Sequence, residues 1–359
     1  MGANPKRHHF LPEFYLHGFA RDGLLWLYDR QRKQYRPQTP HNTAIISYYY
    51  AFENEQGERD CRVEQYLSVV EGKAKATILR LEAGDAITPE ERLNLAQFIA
   101  FLNVRTPKFH REVTQIADAT AKHLMKYQTP TVEAAAGLLR EYGRDSGASG
   151  ITPESMFKFI QNEEFRVEMN RNFVINAMID QVQKITLNVA LMGWMVIHAD
   201  RRSAFITTDE PIGFIVPDEF RRSGEPALGL GSQTITKIVP LSQSVALLIG
   251  RCGGGFGHFG FHREQVRDLN IRVATECEAY VIGRDEALVR TVVKRSKIDT
   301  SSPGTHIKVE HIPHPTDPLR TFLVARRVPA DAPDEPLEIV INDGQNENGA
   351  GPEQGQPEA

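Results

Sequence analysis

The chain has 359 residues, 41% of them hydrophobic and 25% charged, which are the proportions of a globular protein. That length suits one large or two ordinary domains and excludes a wholly disordered, collagenous or coiled-coil chain. The formal net charge of −4 excludes a uniformly basic nucleic-acid coat, but not a local basic patch. It also averages two unlike regions. Beyond Arg327 there is no Lys or Arg, while Asp331, Asp334, Glu335, Glu338, Asp343, Glu347, Glu353 and Glu358 follow. The other 38 acids face all 42 Lys and Arg residues, so residues 1–327 carry a formal +4. Residues 1–327 are read as one domain. Residues 328–359, rich in Pro, Gly, Gln and Asn, are read as a disordered acidic tail.

Cys61, Cys252 and Cys277 are the three cysteines. Their spacing shows no paired pattern, which points to a reducing compartment. The N-terminus lacks the apolar region of a signal peptide, and the longest apolar stretch, around Val189–Ile197, is too short to span a bilayer. A cytoplasmic protein without a membrane partner is expected.

In chain order, residues 24–36 alternate apolar and polar around a polar centre, predicting a β-hairpin after the turn Arg21-Asp22-Gly23. The aromatic run Tyr48–Phe52 suggests a strand. Cys61–Leu81 places Val63, Leu67, Val70, Ala74, Ile78 and Leu81 on one helical face. Thr88-Pro89-Glu90-Glu91 reads as N-cap, N1 and N3 of the next helix, with Leu93, Ala96, Ile99 and Ala100 on its apolar face. Pro107 predicts a break at Thr106. Helical pattern resumes toward Tyr127, a short helix follows Pro130, and Gly143–Gly150 reads as a loop. Thr152-Pro153 repeats the capping signal. A long helix is expected over about 162–191, its stripe running through Phe165, Met169, Phe173, Ala177, Ile179, Val182 and Ile185.

After Gly193 the pattern changes to strands: Trp194–Ala199, Ala204–Thr207, Ile235–Val239 and Val245–Ile249. Cys252–His258 is too glycine-rich for regular structure. His262–Glu278 reads as helix, Ala279–Gly283 as strand, Asp285–Arg295 as helix, and residues 305–327 as one or two late strands. The expected fold class is α+β: a helical middle, about 61–192, packed on a mixed, mostly antiparallel sheet from the C-terminal half, plus an N-terminal β-hairpin.

A series of phrases resembles a family known as DUF4238, a domain of unknown function. They are His9-Phe10-Leu11-Pro12 with Phe14-Tyr15-Leu16 and Phe19; Leu24–Asp29; Val63-Glu64-Gln65-Tyr66-Leu67 with Glu71-Gly72; Phe101–Pro107; Phe205–Pro211; Val239–Ser242; Asn270; and Ala279-Tyr280-Val281. They follow the family's order and span roughly residues 8–282. The resemblance implies a single intracellular domain, mostly bacterial, with no assigned reaction. Where the family pattern often carries Gln, this chain has Asn103.

The phrases centre on ionisable residues. Glu64 and Glu71 are two helical turns apart, about 10.5 Å along the axis, able to converge on one substrate or flank metal ions; two solvated carboxylates is the plainer reading. Arg105 precedes the predicted break, where either the helix dipole or an anion can hold it. Asp209 ends a strand, where catalysis and turn formation both use Asp. His9 is a candidate base or ligand, or a hydrogen-bonded core residue, and His8 on a strand faces the other way. Together, Glu64, Glu71 and Asp209 are candidate ligands of Mg²⁺ or Mn²⁺. In that scheme His9 and Arg105 are catalytic, and Tyr15 and Asn103 contact a nucleotide or nucleic-acid substrate, giving metal-dependent phosphodiester hydrolysis. The competing expectation is a binding or regulatory module in which the same residues form a structural network. No P-loop, zincin, nucleophile-elbow or dinucleotide fingerprint is present. Arg201-Arg202 and Arg221-Arg222 can form a basic rim. Gly253–Gly257 can cradle an anion but reads first as a flexible loop. His306, His311 and His314 match no zinc spacing.

Overall fold

The computed structural model describes residues 7–53, 56, 58–60, 62–141, 151–217, 229–252, 255–298, 305–313 and 321–329. Outside these residues lie the loop at 143–150, Arg221-Arg222, Gly253-Gly254, His314 and the acidic tail from residue 330 onward. The side chains of His306 and His311 also fall outside the description.

Strand β1 (Arg7–His9) and the short helix α1 (Glu13–His17) lead into the hairpin β2 (Leu25–Asp29) and β3 (Gln34–Gln38), which the alternation predicts. Strand β4 (Ile45–Ser47) pairs antiparallel with β1. The expected strand over Tyr48–Phe52 is mostly a turn. Tyr48 has φ of +53°, a left-handed conformation that no strand residue adopts, and only β5 (Phe52–Glu53) is extended, against β6 (Arg59–Asp60). Tyr49 and Tyr50 are nevertheless buried, so these aromatics anchor a turn to the core rather than line a sheet face.

Six helices form the middle: α2 (Arg62–Ala83), α3 (Pro89–Val104), α4 (Pro107–Gln128), α5 (Val132–Glu141), α6 (Pro153–Gln161) and α7 (Arg171–Leu191). Thr88 and Glu91 form the predicted reciprocal cap. Thr106 caps α4 by accepting from the Phe109 amide, and Pro107 at its first position separates it from α3. From Leu95 onward α3 is buried on nearly every side, whereas Leu93, expected on its apolar face, is exposed. A helix apolar all round belongs in a core. The long helix begins nine residues later than expected, at Arg171, because the Asn170 side chain caps it through the Phe173 amide. Its buried face is therefore Val174, Ile175, Met178, Val182 and Val189, while Phe173 and Ile179 are exposed.

Helix α7 ends at Leu191 and β7 (Met192–Ala199) begins at the next residue. Arg92 holds this junction, donating to the carbonyls of Ala190 (2.8 Å) and Met192 while its guanidinium lies 4.5 Å from the Trp194 ring. The strands that follow are β8 (Thr207–Thr208), β9 (Gly213–Ile215), β10 (Thr236–Pro240), β11 (Val245–Cys252) and β12 (Phe256–Phe261). Then come α8 (Arg263–Thr275), β13 (Tyr280–Gly283), α9 (Glu286–Ser296), β14 (Thr305–Pro313) and β15 (Thr321–Pro329).

One sheet has the order β12-β7-β11-β10-β9, antiparallel except for the parallel pair β12–β7. A second, antiparallel sheet has the order β3-β2-β13-β8. The N-terminal hairpin thus docks by pairing β2 with β13, some 250 residues later. The glycine-rich stretch differs from expectation, since Phe256–Phe261 is a regular strand. The fold is α+β as the sequence predicts, and helices α2, α3, α7, α8 and α9 share one apolar core with both sheets. At Gly18 an added Cβ would meet the Ser242 side chain and the Tyr15 carbonyl at 3.1 Å each; that absent atom lets the end of α1 reach the β10–β11 turn, where Gln243 N donates to Gly18 O at 2.8 Å. No described helix is long and apolar enough to cross a membrane.

Candidate functional site

The break at Thr106-Pro107 leaves Arg105 as the C-terminal cap of α3, only 1% exposed. Its guanidinium donates to Glu71 Oε1 at 2.7 Å, to the His9 carbonyl at 2.5 Å and to the Tyr50 hydroxyl at 3.2 Å. Tyr50 in turn donates to the Arg105 carbonyl at 3.0 Å, satisfying an end-of-helix acceptor. Burial opposes the charge on Arg105, but Tyr50 and Glu71 outweigh it and hold the guanidinium proton above its ordinary range. One arginine therefore ties α2, α3, β1 and the tyrosine turn together.

Other phrases interlock in the same way. The Tyr15 hydroxyl donates to the Pro240 carbonyl (2.9 Å) and accepts from Thr207 (2.8 Å), and burial raises its pKa. Asp209, also buried, accepts from the amides of Glu278, Ala279 and Tyr280 at 2.8–3.2 Å, and its own amide donates to the Tyr280 carbonyl. Burial raises the Asp209 carboxyl, with the Tyr280 and Ala279 amides pulling the other way. This carboxylate caps the start of β13 and fixes β8 beside it. Asn270 on α8 accepts from Ile206 N and donates to Ala204 O.

The acid pair separates by role. Glu71 is bound to Arg105, whereas Glu64 Oε2 is buried with no hydrogen-bond partner among the described residues. Burial, opposed by Arg105 and reinforced by Glu71, pushes the Glu64 carboxyl up to about 7. The histidine beside Glu64 is His8, not His9. Alternation along β1 buries His8 and sets its Nδ1 3.9 Å from Glu64 Oε2. That nitrogen already accepts from Tyr50 N at 3.0 Å, so it carries no proton there and the contact is not an ion pair. His9 instead places its ring against His41, Nε2 3.2 Å from the His41 carbonyl, and burial lowers its pKa. The expected ligand set Glu64, Glu71 and Asp209 is not gathered: the two glutamates lie on α2, while Asp209 is held by three amides at the start of β13, the neighbouring strand of its own sheet. Among the described residues no three His, Cys, Asp or Glu side chains stand where they could hold a metal ion.

Asn103 lines a small cavity of about 80 Å³ with Thr106, Lys108, Glu112, Glu210 and Glu276. Burial raises the Glu210 carboxyl well above its usual range, with Lys108 opposing it, and Lys108 lies 3.9 Å from Glu276. A cleft of about 740 Å³, which no motif in the sequence announces, opens on the far side of the Thr106-Pro107 break. One wall is β3 and the residues leading to β4, including Arg36, Gln38 and Asn42. The other is α4 through Arg111 and Gln115, with Glu278–Tyr280 beside Asp209. Phe10, Leu27, Ile45 and Ile46 supply an apolar floor. Arg36 donates to Gln38, yet its buried Nε has no partner among the described residues. Arg111 donates to Glu278 Oε1 at 2.5 Å. Strand β14 borders the cleft, where Ile307 N donates to Gln115 Oε1. The available signal was Arg111 and Gln115, four apart on one helical face just after the break.

The family model described as "Protein of unknown function (DUF4238)" matches residues 7–287. No curated protein and no solved structure matches the chain.

Proposed function

The chain belongs to the DUF4238 family, and from that membership together with the contacts above we propose that it is a ligand-binding module rather than a metal-dependent hydrolase. The cleft between β3 and α4 is its binding site, and a small molecule with a carboxylate or phosphate head and an apolar body is its ligand. The observation that carries this reading is that the polar groups of the family phrases, Glu64 apart, are held by other groups of the chain. Arg105 meets Glu71 and His9 O, Tyr15 meets Thr207, Asp209 meets the amides of residues 278–280, and Asn270 meets Ile206. Groups held this way fix helices to sheets; they are not poised at an open reacting centre. Hydrolysis through Mg²⁺ or Mn²⁺ would need Glu71 and Asp209 to leave these partners.

The cleft fits a ligand for the complementary reason. Pockets that bind small molecules are apolar with a few convergent polar groups, and this one has an apolar floor, side-chain amides and Arg36 with a donor still to satisfy. An acidic head group is the natural acceptor for that guanidinium. The sparse cysteines, with Cys277 a free buried thiol, support a reducing, cytoplasmic setting. We also read residues 1–327 as one folding domain.

The test is a thermal-shift screen of the full chain against small carboxylates, phosphate monoesters and nucleotides, with Arg36→Ala as control. A ligand that stabilises the parent and loses at least tenfold affinity in Arg36→Ala supports the reading. Metal-dependent hydrolysis of a phosphodiester, abolished by Glu71→Gln and Asp209→Asn in folded protein, would replace it with the hydrolase.

A further inference from the structure

A separate cavity, of about 520 Å³, opens where the turn after β7, the first turns of α8 and one face of α9 meet. Five arginines line it: Arg202, Arg263, Arg267, Arg284 and Arg295. Only two carboxylates, Glu264 and Asp285, share the lining, and Asp285 is already engaged, pairing with Arg284 and capping α9 through the Leu288 amide. The side chains of Arg202, Arg263 and Arg295 make no hydrogen bond or ion pair with a described residue, whereas Arg267 pairs with Asp268 at 3.5 Å, its buried Nε lacking a hydrogen-bond partner among the described residues. Guanidinium groups gathered from three separate elements repel one another unless an anion lies among them. The floor beneath them is buried, made of Val266, Val292 and the hydrogen-bonded Asn270.

We infer that this cavity is a binding site for a small molecule carrying two or more phosphate groups. Planar guanidinium forks match phosphate oxygens bidentately, and the three uncompensated guanidinium charges exceed what a single phosphate group neutralises. The cavity is half open to solvent, and no aromatic side chain lines it. Recognition of single-stranded nucleic acid relies on aromatic stacking platforms, so the phosphates rather than a base carry the recognition. The site shares no lining residue with the β3–α4 cleft, and it stands or falls independently of that proposal.

The experiment is isothermal titration of the full chain with inorganic tripolyphosphate, pyrophosphate and orthophosphate at constant ionic strength. Tripolyphosphate is expected to bind at least tenfold more tightly than orthophosphate. Arg263→Ala and Arg295→Ala should each weaken it at least fivefold with an unchanged melting temperature. Arg290→Ala removes the same charge from α9 but does not line the cavity, pairing instead with Glu286 and stacking on Tyr35, and should leave binding within twofold. Equal losses in Arg290→Ala and Arg263→Ala would mean diffuse charge attraction and overturn the site. So would orthophosphate binding as tightly as tripolyphosphate, or tight binding confined to a single-stranded oligonucleotide.

Discussion

Arg105 and Arg263 both sit at helix ends, yet they obey opposite rules. Arg105 caps the C-terminus of α3, where the helix dipole favours a cation, and it is buried with three partners. Arg263 is the first residue of α8, where the dipole disfavours a cation, and its exposed side chain has no partner among the described residues. The first placement stabilises the fold. The second costs a little stability and makes sense when something outside the chain completes it. Where a charge meets its counter-charge, within the chain or beyond it, separates scaffold from site.

That contrast breaks most sharply at Arg105. Arg105→Ala leaves Glu71 beside an empty buried space and should cost about 3–5 kcal/mol in a denaturant titration; Arg105→Lys should recover only a minority of this, because an ammonium cannot reach three acceptors in one plane. A loss below about 1 kcal/mol would move Arg105 out of the scaffold. Asp209→Ala strips three backbone amides of their acceptor and should cost about 2–4 kcal/mol, read by the same titration.

Glu64 sharpens the comparison through pH. Its carboxyl is pushed up to about 7 in the fold, above the ordinary 4.5, so the folded state binds the proton more tightly than the unfolded chain. Stability from this group is complete below about pH 4.5 and falls as pH rises through about 7. Glu64→Gln should therefore match the parent at pH 4.5 and exceed it at pH 8 by about 1–3 kcal/mol, seen as a flatter profile of melting temperature against pH. A parallel profile would show that the carboxylate is solvated. The smallest effect belongs to the arginine cavity, where Arg263→Ala should change stability by less than about 0.5 kcal/mol in the same denaturant titration.

Local features were legible wherever a side chain acts on its own backbone. Thr88, Thr152 and Thr106-Pro107 punctuate the helices where the sequence predicts, because capping needs only neighbours three residues away. The docking of the hairpin on β13 was not legible, since strand pairing between residues 250 positions apart leaves no local mark. The phase of α7 failed because one cap, Asn170, sets it, and the expected stripe was anchored on residues before that cap. At the candidate site, the alternation of His8 and His9 was visible, but which one is buried depends on β4 and the tyrosine turn. The family phrases pointed to residues that matter for packing. The two cavities drew on single arginines scattered along the chain, and only the spacing of Arg263 and Arg267, four apart on one helix, hinted at a shared face.

The direct passage from Leu191 in α7 to Met192 in β7 has a consequence for how this chain can change length. Most helices and strands are joined by loops that absorb an added or lost residue. Here there is none. One residue inserted at the junction either turns α7 by about 100° against the core or shifts β7 by one position, which sends its inward side chains outward. With Trp194 tied back to Val189 O at 2.9 Å, neither end can yield. Insertions and deletions between about residues 189 and 194 should be absent from functional members of the family, even though the chemistry of those positions can vary.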